Sequence, residues 1–532
     1  MAARKPVIEV RVLCAALLCG ALWIDAAAQS PPGREALPAG DRPRAAFKLA
    51  FSTFLSGSGR ANGPRAVAVD AEGNIYVSGG TCSPDFPTTP GAYSRKFDGS
   101  GTSAGNSGPV DAFVTKLTPD GKMVWSTLVG GPNHDRTYSI RVDRQGCVYI
   151  AGRAGKGFPT TKGALQERFA GDNRPAVGYG PQDGFITKLS ADGSKVLWST
   201  YFGSADASII RDMVIDGKGN VYVSMIGVRA DSPYVTRGAF QTARPGGPDG
   251  LVAKVSADGR RVLWASYLGG SGRDTAPSIR LDGKGNVLVS GSTSSKDFPV
   301  TDGACQRALR GPLDAFVAKF APDGSRLVYA TYLGGSKADG GAGKHGLDVD
   351  AGGSAYIVGF TSSADFPVTA RAFQSAYAGG RTGTWQQTGD RFIARLSPDG
   401  KRLLAATYLG GDARDGGEGI AVDRRGRVYL SGFTYSTDFP VAADARRARR
   451  AGRTDGTATV LSADLTRAAL SSLLGGRGEE NFRAVALCPD GGFVIVGETG
   501  SADWPVLNAF QPRSRGGGND AVVVKFVPTG SN

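Results

Sequence analysis

One short step constrains this chain more than any other. Asp85-Phe86-Pro87 returns as Asp297-Phe298-Pro299, Asp365-Phe366-Pro367 and Asp438-Phe439-Pro440. Gly157-Phe158-Pro159, Asp231-Ser232-Pro233 and Asp503-Trp504-Pro505 are variants of it. The copies lie 65–74 residues apart. A fixed period of that length marks a repeat architecture, which overrides the multidomain count that 532 residues would otherwise suggest.

Each unit reads as four strands. The first is short and small-sided (residues 66–70, AVAVD; 420–423, IAVD), and a Gly-containing turn such as Ala71-Glu72-Gly73-Asn74 follows it. The second is NIYVSGG at 74–80 or NVLVSGS at 286–292. The third is AFVTKL at 112–117 or AFVAKF at 315–320, and Pro119-Asp120-Gly121 turns into the fourth, MVWSTLVGG at 123–131. Asp-Gly turns between β-branched and aromatic runs are strong hairpin signals. Four antiparallel strands repeated radially make a propeller blade. The last unit ends after its third strand, whereas residues 48–57 (KLAFSTFLSG) carry a lone fourth-strand pattern. The expected fold is therefore all-β, a seven-bladed β-propeller over residues 47–527. Its N-terminal strand would complete the C-terminal blade and remove exposed sheet edges.

The units resemble the SBBP, or seven-bladed beta-propeller, repeat family. The likeness rests on the ending Tyr267-Leu268-Gly269-Gly270 (again at 332–335 and 408–411), the GNxYVSG strand, the TSSxDFPVT step and the DAFVAK strand. It spans 47–527 and is weakest where Ser232 replaces the phenylalanine and where Gly456-Thr457-Ala458-Thr459 forms a third strand. The resemblance implies a propeller in a bacterial extracytoplasmic setting. It implies no common activity and transfers no catalytic residue.

The N-terminus agrees with export. Arg4, Lys5 and Arg11 precede and flank an apolar run, Val12–Trp23, and Ala26-Ala27-Ala28 offers a cleavage site. Residues 1–28 read as a signal peptide, 29–46 as a Pro- and Gly-rich lead-in and 528–532 as a tail. The expected location is periplasmic, cell-surface or extracellular, with no membrane span in the mature chain. Cys82, Cys147, Cys305 and Cys488 sit at different places in their units, without metal-type spacing, and read as separate thiols. The formal charge is +14, of which the signal supplies a net single charge. That basic balance favours anionic partners.

Chain alternation places the fourth-to-first and second-to-third connections on one face. The longest segments are second-to-third loops, so binding is expected on this loop-rich face. An Asp precedes every third strand: Asp111, Asp183, Asp249, Asp314, Asp390, Asp455 and Asp520. Calcium is one reading of that ring; sevenfold recurrence favours capping of a loop entering a strand. Asp135, Asp274 and Asp415, with His134 and His345, are candidates at the channel mouth. A dense cluster, Arg446, Arg447, Arg449, Arg450 and Arg453, is a candidate anion contact. Trp385 and Tyr179, in long loops, suit sugar stacking, whereas Trp125, Trp198 and Trp264 share one fourth-strand position and read as packing between blades.

No HExxH, GxSxG or phosphate-loop motif occurs, and two histidines are too few for a histidine metal site. No catalytic residue, metal ligand or cofactor is assigned. The reading is a monomeric binding module for an anionic or carbohydrate polymer, or an envelope protein, with no specific nucleic-acid target. Its alternatives are a polysaccharide lyase or hydrolase working at the channel mouth, and a purely structural envelope protein.

Overall fold

A computed structural model of the chain describes residues 46–530, apart from 61, 103–104, 172–175, 177, 380–388, 443–444, 446 and 448. The signal and lead-in expected at the N-terminus lie outside these residues. The described residues belong to one unit, Arg44–Asn532. They are almost all strand and turn, and consecutive strands pair in antiparallel fashion. No helix among them is long and apolar enough to cross a membrane.

The strands assemble in chain-sequential sheets. One joins Asn62–Val69, Ile75–Thr81, Asp111–Leu117 and Met123–Val129, and the pattern recurs along the chain. Two neighbouring groups share a single bridge, Ile226 to Thr275, and so read as one larger sheet. The last group pairs Glu480–Leu487, Phe493–Thr499 and Asp520–Pro528, and its fourth member is Phe47–Phe54 from the other end of the chain. That pairing runs from Phe47 opposite Pro528 to Phe54 opposite Val522.

Glycine at the tight turns serves two ends. Gly193 and Gly259 adopt φ of 68° and 69°, which L side chains rarely reach. A β-carbon on either would also lie 2.5 Å from an indole ring, that of Trp125 or Trp198. Each indole thus lies flat on the third-to-fourth turn of the next blade. Its nitrogen donates across the junction: Trp125 to Ala191 O at 3.1 Å, Trp198 to Ala257 O at 3.0 Å and Trp264 to Pro322 O at 3.1 Å. The recurrent phenylalanine is the second element of the cores. Phe86, Phe158, Phe298 and Phe366 are buried, each with its ring 4.3–4.6 Å from the third-strand ring of Phe113, Phe185, Phe316 or Phe392. Its partner aspartate ties down the fourth-to-first loop, as where Asp297 accepts from the Ser271 amide at 2.8 Å. The tyrosine of the Tyr-Leu-Gly-Gly ending closes the same corner, Tyr332 donating to Ser295 O at 2.7 Å and Tyr408 to Ser363 O at 2.8 Å.

The first strands are longer than their sequence suggested. Asn62–Val69, Arg136–Val142, Ile209–Ile215, Asp274–Leu281, Asp415–Val422 and Glu480–Leu487 each reach several residues upstream of the small-sided stretch. Most have a register shift in the middle, for example between Thr137 and Ser139 and between Gly417 and Gly419. Such bulges turn one extra side chain out of the ladder. These innermost strands lie against one another in chain order, and Glu480–Leu487 lies against Asn62–Val69. Their upstream halves line the channel.

Candidate anion site in the channel

One register position recurs at the inner strand of every unit, and Arg211, Pro277 and Glu418 from it border the channel cavity. Five residues before the aspartate, or Cys488, that opens each first turn stand Arg65, Tyr138, Arg211, Pro277, His345, Glu418 and Arg483. Elsewhere in a β-protein such a position would be apolar. Here most of its occupants are charged or polar and buried or nearly so.

The fifth of these strands is interrupted. Eight residues separate the strand-opening residue from the turn in the other units, as from Asp135 to Asp143 or Asp274 to Asp282, but eleven separate Asp339 from Asp350. The three extra residues split the strand into Asp339–Gly341 and Leu347–Val349 and push Lys344 and His345 inward. His345 takes φ 53°, in the left-handed region. It reaches across to Tyr138, with Nε2 2.8 Å from the Tyr138 carbonyl oxygen, and its Nδ1 lies 3.3 Å from Asp212. The Gly346 amide donates to Ser278 Oγ at 3.0 Å, and the Ile420 amide donates to His345 O at 3.1 Å.

Two charge networks follow. Nearer the tight-turn face, buried Asp212 faces Arg280 at 2.7 Å, Arg141 at 3.2 Å and the His345 ring; burial opposes its charge, but these neighbours hold its carboxyl well below the usual range. On the loop-rich side an alternating chain runs Lys344–Glu418–Arg483–Glu498–Arg65. Arg483 lies 2.8 Å from Glu418 and 3.2 Å from Glu498, Arg65 lies 2.8 Å from Glu498, and Lys344 is ion-paired to Glu418. Burial opposes the charge on Glu498, but Arg65 and Arg483 hold it down at about 2.

Beside that chain the balance is broken. Arg136, Arg153 and Arg211 have no carboxylate within ion-pair distance among the described residues, and the Nε of each is buried without a hydrogen-bond partner. Arg136 and Arg153 are 9% and 3% exposed. Uncompensated buried charge is costly. Aromatic faces offset part of the cost: Arg153 stacks 3.5 Å from the Tyr179 ring centre, and Arg211 lies 4.7 Å and Arg153 5.5 Å from that of Tyr138. Burial alone would raise the Tyr138 phenol, yet Arg153, Arg211, Arg136 and Arg65 bring it down to about 7. Burial lowers Lys344 to about 8 against the pull of Glu418.

Between Arg211 and Lys344 opens a cavity of about 130 Å³. Pro277, Leu313 and Phe360 give it apolar walls, and Glu418 reaches its edge. Leu313 precedes a third strand and Phe360 ends a second strand, so the cavity lies on the loop-rich side.

The residues expected from sequence fall into three groups. His134, His345 and Tyr179 come to this site. His134 stands 5.0 Å from the Tyr179 ring with Nε2 3.5 Å from Arg153, and burial with Arg136 and Arg153 lowers it to about 3. Asp135, Asp274 and Asp415 do not line the channel. They are fully buried and hold turns, accepting from Gly131, Gly270 and Gly411 amides at 2.6, 2.8 and 2.8 Å. The aspartates that open the third strands are likewise buried, and several fasten the long loops, as Asp183 accepts from the Ala170 amide at 2.8 Å. Among the described residues no group of three His, Cys, Asp or Glu side chains is placed to hold a metal ion.

The arginine cluster lies elsewhere. Arg447 donates to Gly475 O at 2.8 Å, Arg450 bonds to Arg453 O, and Arg453 pairs with Glu479 at 2.8 Å; Arg449 and Arg450 border a shallow depression with Thr437 and Asp438. None of these lines the channel cavity. Arg446 and Trp385 fall outside the described residues. Tyr138, Arg211, Lys344 and Arg483 were not singled out from sequence. The signal was present: aligned on the turn residue, the position five upstream reads Arg, Tyr, Arg, Pro, His, Glu, Arg.

Comparison with known proteins agrees on the fold class. The SBBP beta-propeller repeat matches at residues 197–224, 263–299 and 406–440. No curated protein matches the sequence. Among solved structures, quinohemoprotein alcohol dehydrogenase from Comamonas testosteroni is 13% identical, with 91% of this chain and 76% of that chain covered and a TM-score of 0.42. BamB from Moraxella catarrhalis is 10% identical over 90% and 99%, with a TM-score of 0.37. A PL25 polysaccharide lyase, an ulvan lyase, is 11% identical over 84% and 93%, with a TM-score of 0.42. Nothing about activity transfers at this level of likeness. The chain carries SBBP beta-propeller repeats.

Proposed function

We propose that this protein is an exported, seven-bladed propeller, closed by its N-terminal strand, that binds an anionic carbohydrate through the loop-side mouth of its channel. One observation carries the reading: Arg136, Arg153 and Arg211 converge on Tyr138 without a carboxylate partner among the described residues. Three buried or half-buried cations without a carboxylate partner are poorly explained by folding alone, since an apolar filling would be more stable. An incoming carboxylate or sulfate would meet planar donors suited to its geometry. The apolar wall at Pro277 and Phe360 suits the face of a sugar ring.

The test is retention on acidic and neutral glycans across a salt series, with bond cleavage assayed in the same samples. Salt-sensitive retention on acidic glycans, weakened by Arg211→Met and unaffected by changes at Arg449, is the expected result. Retention that depends on Arg449 and Arg450 instead would move the site to the surface cluster. Release of new chain ends would make the channel an active site.

A further inference from the structure

The floor and the size of the channel cavity restrict how a polymer could use it. Below Lys344 the passage is crossed by bonded side chains and backbone. His345 joins the Tyr138 carbonyl and Asp212, Gly346 joins Ser278, and Ile420 joins His345. Further toward the tight-turn face Arg141 and Arg280 close on Asp212. No strand of polymer threads past these contacts. The site is a blind pocket with one opening.

Its volume, about 130 Å³, is below the ~150 Å³ of a cavity that holds benzene and well below the ~300–1,000 Å³ of pockets that enclose larger ligands. It has room for the carboxylate-bearing edge of a sugar acid while the rest of the ring stays at the mouth. The lining is divided to match one acidic ring. Arg211 and Lys344 stand where an anionic group would be neutralised, Pro277, Leu313 and Phe360 offer apolar surface to a ring face, and Thr275, Ser292 and Glu418 present groups that bond hydroxyls. We propose that the cavity takes the carboxylate-bearing edge of a single terminal uronic-acid residue, so that the protein captures acidic polysaccharides by their chain ends rather than along their length. The three-residue insertion in the fifth inner strand builds that selectivity, because it supplies Lys344 and closes the floor beneath it. This proposal rests on the anion-binding reading above.

Calorimetric titration with oligogalacturonates of short, intermediate and long chain length separates the possibilities. End capture predicts about one protein bound per chain at every length, with galacturonate monomer competing for the same site. Binding of more protein to longer chains, in proportion to their mass, would overturn end capture and leave the anion reading standing. No binding to any acidic oligomer would overturn both. Lys344→Met should weaken end binding about tenfold, measured on protein that circular dichroism shows to be folded. Glu418 keeps Arg483 as partner at 2.8 Å, and some loss of melting temperature is expected from breaking the buried Lys344–Glu418 pair. An unchanged affinity in a folded Lys344→Met protein would also overturn the proposal.

Discussion

His345 Nε2 lies 2.8 Å from the carbonyl oxygen of Tyr138, a bond between innermost strands 207 residues apart in sequence. Both ring nitrogens of His345 face acceptors, the second being the Asp212 carboxylate. Its backbone stands at φ 53°, where a non-glycine residue is held only by its surroundings. His345→Ala removes both bonds and leaves buried acceptors short of a donor, at a cost of about 1–3 kcal/mol. His345→Asn should cost less, because Asn tolerates that conformation and keeps a donor. Denaturant unfolding of the two variants checks the order. Equal stability of His345→Ala and the parent would show that this crossing is incidental to the fold.

Anion binding should weaken as pH rises. Tyr138 is brought to about 7 by the arginines around it, so a phenolate forms there at pH values where an ordinary tyrosine stays neutral. The phenolate would neutralise the cations that a ligand needs. Lys344 then loses its own charge near pH about 8. Both steps act in one direction: affinity for an acidic oligosaccharide is full below pH about 6 and falls through pH about 7 to 9. Tyr138→Phe should remove the first part of that fall and leave the second. A parent profile that is flat over this range, or one unchanged in Tyr138→Phe, would count against a channel site.

What was legible in the sequence was whatever repeats. Phe86 and Phe298 occupy equivalent corners, Trp125 and Trp198 equivalent junctions, and their recurrence declared the packing before any coordinate did. A binding site on such a scaffold is written in departures from the template. Tyr138, Arg211 and His345 share one register and no residue type. Tyr138 and Arg211 were passed over because the first strand was read from its small-sided end, downstream of the bulge that turns them inward. Lys344 was hidden for a different reason: an insertion inside a strand leaves no pattern and only a changed spacing. The arginine run drew attention by density alone, yet exposed side chains such as Arg453 already have partners at the rim.

Stability should also fall with rising pH, through different groups. At several blade junctions the aspartate opening a third strand shares a buried corner with the acid opening the next first strand. A β-carbon on Gly269 would lie 2.5 Å from Asp249 Oδ1 and 2.8 Å from Asp274 Oδ2; one on Gly410 would lie 2.7 Å from Asp390 Oδ1 and 2.8 Å from Asp415 Oδ2. Burial, with the neighbouring carboxylate, raises Asp249 and Asp390 to about 7, and burial raises Asp111 to about 8. A carboxyl whose folded pKa is raised favours folding while protonated. Its contribution is present in full below the ordinary carboxylate range and is lost as pH climbs through about 7 to 8. The depressed Glu498, at about 2, works oppositely and matters only in strong acid. The melting temperature should therefore decline from pH about 4 to about 7, above which the lowered Tyr138 and Lys344 act in the opposite sense, and Asp249→Asn should flatten the decline. A rising melting temperature over that interval would refute the shared-corner account.

The strand Phe47–Phe54 supplies the last and most direct test of the architecture. It covers the edge of Asp520–Pro528 along its length, and Phe47, Phe51 and Phe54 are buried in the cores on either side. The bond from Asn508 Nδ2 to Ala50 O at 2.9 Å and that from Trp504 Nε1 to Ser52 Oγ at 2.9 Å fasten it to the last long loop. Removing it uncovers a row of backbone donors and acceptors beside the apolar face of Val522 and Val524, which is a template for pairing with another chain. A protein beginning at Gly57 should elute as aggregate in size-exclusion chromatography, while one beginning at Ala46 should stay monomeric. Adding a peptide of residues 46–57 during refolding should restore the monomer to the shorter protein. If the shorter protein is already monomeric and melts with the parent, ring closure by this strand contributes nothing to the fold.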